Sequence, residues 1–323
     1  MVSENNKIVA FFRLIRYPNL LIIIATMCLM RWAIILPILK VNGFQLQFSN
    51  IQFVFLVLST VFLSAGGYVI NDYFDRKTDL VNRPQTVIVG TIIKRRSAMA
   101  IHIVLNVFAI ITGFYLAFSI GLPNLGLIFI IVSGILWFYS TTYKRQLLVG
   151  NLIVSFLVAL VPLMVLLFEI PLLNRAYGNI LAGMGENFHY LTGWILGFSG
   201  FAFLTTLIRE IVKDVEDFEG DQAFGRQTLP VVIGVRLTKL IIIVILFITI
   251  VAIFYVYFVY LTDKITLLYI LITLIIPMFL GIIFTIKAKN KKNYHQLSTL
   301  LKVIMLAGIL YALVADYIIS IKF

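Results

Sequence analysis

Residues 240–261 read LIIIVILFITIVAIFYVYFVYL, which is 22 consecutive positions without a charged side chain. A helix needs roughly 20 mostly apolar residues to cross the hydrocarbon core of a bilayer, so this stretch predicts a membrane-spanning helix. The whole chain has the same character, since 61% of its 323 residues are hydrophobic, 12% are charged and the mean hydropathy is +1.04. Soluble domains carry about 25% charged residues. Too few polar residues are present to cover a surface in water, which excludes a soluble enzyme and a disordered chain.

Eight more apolar runs of similar length lie on either side of this stretch. The nine predicted spans cover residues 19–39, 51–70, 98–118, 121–139, 150–170, 191–208, 239–261, 265–286 and 298–320. We therefore predict an all-α integral membrane protein formed by nine transmembrane helices, with residues 1–323 in a single domain. Cys28 is the only cysteine, and the three histidines are far apart in sequence, so neither a disulfide nor a zinc or haem site is expected.

The basic residues alternate between the two sides of the membrane. The N-terminal segment and the loops after even-numbered spans hold 20 of the 26 Lys and Arg, whereas the opposite side holds four, Lys40, Arg175, Lys264 and Lys322. Because positive residues are retained on the cytoplasmic side, the N-terminus is predicted inside and the C-terminus outside. In a prokaryotic cell, the membrane would be the cytoplasmic (inner) membrane. Topology thus explains the net charge of +12. Anionic lipid headgroups are the expected partner of this surface, and neither nucleic acid nor a protein partner is implied.

The acidic residues are concentrated in two segments. Nine of the 14 Asp and Glu lie in residues 71–79 and 210–221, which follow spans two and six and therefore reach the same membrane surface. The spacing i, i+3, i+7 is shared by Asp72, Asp75 and Asp79 in the first segment and by Asp214, Asp217 and Asp221 in the second. On an α-helix these positions lie within about 60° of one another. If the helices continue past their apolar runs, each presents a row of carboxylates, and Gly220 is expected to end the second helix.

Three like charges on one helix face repel one another, and a helix C-terminus favours cations, so a positive partner is required. One alternative is a solvated loop whose acids pair with neighbouring Lys and Arg. Two segments with matching spacing at the same surface favour divalent metal instead, because Mg²⁺ commonly combines one or two carboxylates with substrate phosphates. We predict that the two rows face each other and hold Mg²⁺ with a diphosphate between them. Its remaining charge is predicted to be bound by Arg83, Lys144, Arg145, Arg209 and Lys213.

A diphosphate at the membrane surface, beside an apolar bundle, indicates a substrate with a long apolar tail, such as a prenyl diphosphate. Metal coordination stabilises the departing diphosphate, so that the allylic C–O bond ionises. Water must be kept away from the resulting carbocation until an acceptor attacks. The sequence therefore predicts a Mg²⁺-dependent intramembrane prenyltransferase that uses a prenyl diphosphate and a lipophilic acceptor.

The acidic segments also resemble the motifs of a known family. NDYFDRKTD, residues 71–79, matches the NDxxDxxxD motif of the UbiA prenyltransferase superfamily, and KDVEDFEGD, residues 213–221, is similar to its second, DxxxD-type motif. GRQTLPVVIG, residues 225–234, resembles the usual continuation of the second motif. The resemblance implies the nine-helix fold of this family, which encloses a central cavity with its polar mouth on the cytoplasmic side.

The same resemblance implies roles for individual residues. Direct Mg²⁺ ligation is implied for Asn71, Asp75, Asp217 and Asp221, with Asp72, Asp79 and Asp214 as supporting acids or as ligands through water. A Tyr and a Lys near the end of the family's fourth helix resemble Tyr139, or Tyr143, and Lys144. Arg16 and Asn19, in the similar segment RLIRYPNLL at residues 13–21, are implied to bind substrate. Catalytic roles are expected for Asp72, Asp75, Asp217, Lys144 and Tyr139.

The acceptor distinguishes the branches of the family. RLIRYPNLL, REIVKDVEDFEGD and YSTTYKR are most similar to the (di)geranylgeranylglyceryl phosphate synthase-like enzymes, which join a geranylgeranyl group to the free hydroxyl of a glycerol-phosphate ether lipid. An aromatic acceptor, 4-hydroxybenzoate, dihydroxynaphthoate or homogentisate, is the alternative. Many members carry Pro-Ser-Gly after the first motif, whereas residues 85–90 read QTVIVG here, which disfavours a simple aromatic assignment.

Two other classes of membrane protein are alternatives to a prenyltransferase. A transporter is typically marked by intramembrane charges, and the candidates are Arg31, Glu169, Lys302 and Asp316. Of these, only Arg31 lies well inside a predicted span, and the other three are expected to extend towards the membrane surface. A CDP-alcohol phosphotransferase would also use acid-rich helices, but its DGxxAR signature is absent.

Overall fold

The computed structural model describes residues 4–82, 84–184 and 186–322. Within these ranges the chain is helical and contains no β-strand. Nine of the helices in the described ranges are long and apolar enough to cross a membrane. The predicted all-α fold with nine spans is confirmed, and the chain is a multi-pass integral membrane protein.

Eleven helices are named here in chain order. They are α1 (Glu4–Leu14), α2 (Tyr17–Val41), α3 (Asn50–Asn82), α4 (Arg95–Ser119), α5 (Leu127–Thr141), α6 (Val149–Met184), α7 (His189–Glu216), α8 (Phe218–Ala223), α9 (Leu229–Leu261), α10 (Lys264–Lys287) and α11 (Lys291–Lys322). The membrane-spanning helices are α2–α7 and α9–α11. The short α8 belongs to the second acidic segment.

The chain separates into two compact units, each described by itself. Unit 1 comprises Met1–Met27 and Gln47–Lys144, and unit 2 comprises Cys28–Leu46 and Arg145–Phe323. Unit 1 therefore carries the first acidic segment on α3, and unit 2 carries the second on α7 and α8.

In unit 1, two adjacent glycines on α3 allow neighbouring helices to approach its backbone closely. A Cβ atom at Gly66 would lie 2.5 Å from Nδ2 of Asn106, and one at Gly67 would lie 2.8 Å from Cδ2 of Leu136. The amide of Asn106 is itself fixed, because its Oδ1 accepts a 2.7 Å hydrogen bond from Oγ of Ser133 on α5. Helices α3, α4 and α5 are thus tied together immediately before the first acidic segment begins.

In unit 2, the buried face of α7 forms the centre of the hydrophobic core. This core includes Ile208, Ile211 and Val212 on α7, Ile242 and Leu246 on α9, Met278 on α10, and Leu297, Leu301 and Ile304 on α11. Along the last turns of α7, these apolar side chains alternate with acidic ones. Because the apolar face of α7 packs into the core, the acidic side chains of α7 are held on its other face.

Unit 2 also contains a buried ion pair. Nη1 of Arg31, in the π-helical part of α2, donates a 3.2 Å hydrogen bond to Oε2 of Glu169 on α6, and the two side chains are 1% and 0% exposed. The expectation that Glu169 extends towards the membrane surface is wrong. The reason is that α6 continues to Met184 instead of ending near residue 170, which places Glu169 well inside the helix.

Candidate functional site

The first acidic set, Asn71, Asp72, Asp75 and Asp79, lies on the last turns of α3. The helix is unbroken over Asn50–Asn82, so the predicted continuation past the apolar run is confirmed for this set. Its carboxylates therefore share one helix face, as their spacing requires. Asp75 is the most buried residue of the first acidic set, with 5% exposure.

Arg16 compensates the charge at the beginning of this face. It lies between α1 and α2 with a left-handed backbone, φ 52°, which is uncommon for a residue with a side chain. Its Nη2 donates a 2.8 Å hydrogen bond to Oδ1 of Asp72, and its guanidinium stacks 5.0 Å from the ring centre of Tyr68. Arg16, which the resemblance implies to bind substrate, therefore lies against the first acidic set. Asn19 lies one turn further along α2 with an exposed side chain.

Lys144 occupies the centre of the first acidic set. It lies in the short 3-10 turn Tyr143–Arg145, and its Nζ donates to Oδ1 of Asn71 at 2.8 Å and to Oδ2 of Asp75. The ring centre of Tyr139 is 5.9 Å from the same Nζ. The five-residue separation of Tyr139 and Lys144 does not keep them apart, because α5 ends at Thr141 and the turn brings the lysine back over the helix.

The contacts of Lys144 indicate that the first acidic set is suited to a metal ion. An amide oxygen and a carboxylate oxygen converge on one positively charged atom, and both are the hard oxygen ligands that Mg²⁺ prefers. No group of three or more His, Cys, Asp and Glu side chains is gathered at one point within the described ranges. A site built from one or two protein oxygens and substrate phosphates needs no such group.

The second acidic set, Asp214, Asp217 and Asp221, does not form the predicted continuous row. Helix α7 ends at Glu216, Asp217 has non-helical torsions, and α8 begins at Phe218. The expectation that Gly220 ends the helix is also wrong, because Gly220 lies inside α8. The break has an electrostatic reason. Acids are unfavourable in the last turn of a helix, and starting a new helix places Glu219 and Asp221 in its first turn, where acids are favourable.

Two side chains hold the ends of the second acidic set. Nδ2 of Asn151, in the first turn of α6, donates a 2.8 Å hydrogen bond to Oδ2 of Asp214. Nη1 of Arg226 lies 3.4 Å from Oδ1 of Asp221, which is 3% exposed. Sequence reasoning missed both partners. Asn151 had a recognisable signal, a lone amide in an apolar run, whereas Arg226 was explained by topology.

The predicted phosphate-binding residues are distributed over both units. Arg209 and Lys213 share one carboxylate, Glu210, at 3.0 and 3.2 Å. Arg145 is exposed, and its carbonyl oxygen accepts a 3.0 Å hydrogen bond from the backbone N–H of Gln227, in the segment that follows the second acidic set. Arg83 lies outside the described residues.

The family model for the UbiA prenyltransferase family matches residues 43–309. The chain belongs to this family. Membership of this family confirms the predicted prenyltransferase and disfavours the two alternatives, a transporter and a CDP-alcohol phosphotransferase.

Two relatives of this chain are both named digeranylgeranylglyceryl phosphate synthase. The digeranylgeranylglyceryl phosphate synthase of Methanothermobacter thermautotrophicus is 38% identical over 186 residues, which cover 57% of each chain. The matched region thus spans somewhat more than half of that relative. The synthase of the same name from Korarchaeum cryptofilum is 32% identical over 246 residues, covering 76% of this chain and 78% of that one.

Solved structures show the same fold. One, from work on digeranylgeranylglyceryl phosphate synthase in membranes, has a TM-score of 0.57 at 24% identity and covers 98% of this chain and 99% of that one. A UbiA homologue from Archaeoglobus fulgidus, bound to GPP and Mg²⁺, has a TM-score of 0.53 at 17% identity and covers 94% of this chain and 99% of that one. The UbiA fold predicted from the two motifs is confirmed.

Proposed function

We propose that this chain is a Mg²⁺-dependent enzyme that transfers a geranylgeranyl group from its diphosphate to the free hydroxyl of geranylgeranylglyceryl phosphate. Family membership supports prenyl transfer, and the names of the relatives from Methanothermobacter and Korarchaeum support this acceptor. The observation that carries the proposal is the convergence of Asn71 and Asp75 on the Lys144 ammonium, because it marks a cation position lined by oxygen atoms.

The metal ligands are proposed to come from both acidic sets. Asn71 and Asp75 would hold one side of the metal-bound diphosphate, and Asp217 and Asp221 the other, with Asp72, Asp79 and Asp214 in support. When bound, Mg²⁺ neutralises the diphosphate and makes it a better leaving group. The two ligand sets fit this ion because each offers oxygen ligands and neither offers sulfur.

The basic residues are proposed to move from carboxylates to phosphate oxygens. Lys144 is held by the first acidic set and Arg16 by Asp72, while Arg209 and Lys213 share Glu210. Lys144 and Arg16 would be available to the diphosphate when the carboxylates of the first acidic set hold a metal ion. Lysine and arginine then stabilise the charge that grows on the leaving group as the C–O bond breaks.

The reaction is a substitution at the first carbon of the prenyl chain. Its bond to the diphosphate oxygen breaks with both electrons on the oxygen, the hydroxyl oxygen of the acceptor forms the new ether bond, and the hydroxyl proton passes to the diphosphate. The ring of Tyr139 beside Lys144 helps to cover the polar end of this path. Apolar surroundings keep water from the allylic cation.

The chain is proposed to lie in the cytoplasmic membrane with the N-terminus inside. The alternation of basic residues supports this orientation. Both acidic segments follow spans that run in the same direction, so the reaction is assigned to the cytoplasmic surface. Anionic lipid headgroups are the proposed neighbours of the basic loops.

A transfer assay tests the proposal. Purified protein is given geranylgeranyl diphosphate, Mg²⁺ and, in separate reactions, geranylgeranylglyceryl phosphate, 4-hydroxybenzoate, dihydroxynaphthoate or homogentisate, and products are followed by mass spectrometry. We expect product with the glycerol-phosphate acceptor, and a loss of at least about a hundredfold in Asp75→Asn and Asp217→Asn. Glu219→Gln, an exposed acid of the second segment, is the matched control. Product from an aromatic acceptor alone contradicts the acceptor, and an active Asp75→Asn contradicts the metal site.

A further inference from the structure

Arg76 lies on α3 among the acids of the first acidic set. Ion pairs hold Arg16, Lys144, Arg209, Lys213 and Arg226. None of the ion pairs within the described part of the chain involves Arg76, and its Nε is buried without a hydrogen bond to any described residue. Arg76 is half-buried, and a charged group that is partly removed from water is costly without a counterion, so the rest of this guanidinium can take an anion that the described residues do not supply.

The partner that the helix would normally offer to Arg76 is already occupied. Residues four apart on a helix are neighbours and commonly form ion pairs, which makes Asp72 the natural partner of Arg76. Asp72 instead accepts the 2.8 Å hydrogen bond from Arg16, which arrives from the segment between α1 and α2. Asp72 is therefore paired with Arg16 and forms no ion pair with Arg76.

The loop between α3 and α4 holds the guanidinium of Arg76 in position. Gly90 has a left-handed backbone, φ 84°, and a Cβ atom there would lie 2.5 Å from Nε and 3.0 Å from Cζ of Arg76. The loop backbone thus lies directly against one edge of the guanidinium. The loop is closed by a 2.7 Å hydrogen bond from the N–H of Gly90 to the carbonyl of Ile93, and Val89 anchors it in the core of unit 1 with 1% exposure.

A second guanidinium lies on the same face of α3. Cζ of Arg95 is 4.7 Å from the ring centre of Tyr73. Tyr73 and Arg76 are three residues apart and so share a helix face, which is turned by about 100° from the position of Asp75. Two positive groups therefore lie beside the first acidic set without being part of it.

We propose that Arg76, supported by Arg95, binds the phosphate monoester of the lipophilic acceptor. A phosphate monoester carries up to two negative charges and three acceptor oxygens, which match two guanidinium groups better than the single charge of a diester does. The diphosphate of the prenyl donor is bound through metal on the adjacent face. This inference rests on the proposed function and names the group by which the protein recognises the acceptor.

Equilibrium binding of radiolabelled geranylgeranylglyceryl phosphate tests the proposal. The full-length protein is placed in nanodiscs of phosphatidylcholine, without Mg²⁺ and without prenyl diphosphate. We expect Arg76→Gln to weaken binding about tenfold or more, as for the loss of a charge-assisted hydrogen bond. Lys77→Gln, the exposed neighbour, is the matched control and should bind as the wild type does. The analogue geranylgeranylglycerol, which lacks the phosphate, should bind equally to wild type and Arg76→Gln.

Wild-type affinity in Arg76→Gln overturns the proposal. It is also overturned if phosphatidylglycerol in the nanodisc displaces the ligand as effectively as unlabelled ligand does, because the site would then bind membrane headgroups. Arg76→Lys keeps the charge but loses the planar fork, so an intermediate affinity is expected even if Arg76→Gln does not fold. The binding experiment does not depend on prenyl transfer. If binding depends on Arg76 but the wild type is inactive in the transfer assay, the proposed reaction is contradicted and the Arg76 site is not.

Discussion

In the proposed metal site, Lys144 and the metal ion would compete for the same oxygen atoms. The Lys144 ammonium is bound by Asn71 and Asp75, so a metal ion at these oxygen atoms would have to displace it. In Lys144→Gln this competition is removed, and we expect half-maximal activity at an equal or lower Mg²⁺ concentration than in the wild type. The maximal rate should nevertheless fall by about tenfold or more, because one positive group on the leaving diphosphate is lost.

The measurement for Lys144→Gln is a Mg²⁺ titration of the initial rate. Lys77→Gln, which removes an exposed lysine, is the control and should change the titration little. A markedly higher Mg²⁺ requirement in Lys144→Gln would contradict the assignment, since it would make the lysine a support of the metal site instead of its competitor.

Sequence reasoning at this scale found the acids but not their partners. The spacing of Asp72, Asp75 and Asp79 is visible in one segment because a helix repeats every 3.6 residues. Asn151 meets Asp214 from 63 positions away. Such a contact depends on how α6 and α7 pack, and no local pattern encodes it.

At the scale of the helix, Gly66 on α3 determines how close α4 can come. A Cβ atom there would meet the amide of Asn106, so we expect Gly66→Ala to destabilise the protein by about 1–3 kcal/mol. The double variant Gly66→Ala with Asn106→Ala removes the clash and should recover part of this loss. Thermal unfolding in detergent measures both effects.

Gly134 on α5 provides the matched control for this test. A Cβ atom at Gly134 would meet nothing within 4 Å. Gly134→Ala should therefore be neutral or slightly stabilising, since alanine is the better helix former. Equal losses from Gly66→Ala and Gly134→Ala would show that the close approach of α4 to α3 does not matter.

The buried pair of Arg31 and Glu169 joins α2 to α6 within unit 2. Removing one side chain takes the ion pair away from the other buried charge, so Arg31→Met or Glu169→Leu alone should lower stability by about 3–5 kcal/mol. The double variant replaces the pair by apolar side chains and should restore most of the loss. Unfolding temperatures in detergent, with the exposed Glu186→Gln as control, measure this. If the double variant is as unstable as either single one, the pair does not act as a unit.

Helix periodicity did not predict the break at Asp217 between α7 and α8. The same i, i+3, i+7 spacing forms one continuous face in α3 but is divided between α7 and α8. Spacing alone assumes a continuous helix. The spacing does not show where a helix is interrupted, and here the interruption falls at Asp217.

For the whole molecule, the hydrophobic composition and the apolar runs predicted the architecture well. Nine spans follow from the apolar runs, since a bilayer fixes the length of a crossing helix. The spans are nevertheless longer than predicted, because α3 and α6 extend well beyond their apolar runs at one end. The hydrophobic pattern ends where the bilayer ends, whereas a helix ends where its backbone hydrogen bonds do.

The central claim is that both acidic sets act on one metal-bound diphosphate. Its most direct test is the binding of Mn²⁺, a spectroscopic substitute for Mg²⁺, to the full-length protein with an unreactive thiolo analogue of geranylgeranyl diphosphate. Electron paramagnetic resonance would compare wild type, Asp75→Asn, Asp217→Asn and the double variant, with Glu219→Gln as control. We predict that either single variant weakens Mn²⁺ binding about tenfold or more and that the double variant departs clearly from the product of the two losses. Wild-type binding in Asp217→Asn, or two losses that multiply independently, would contradict the claim.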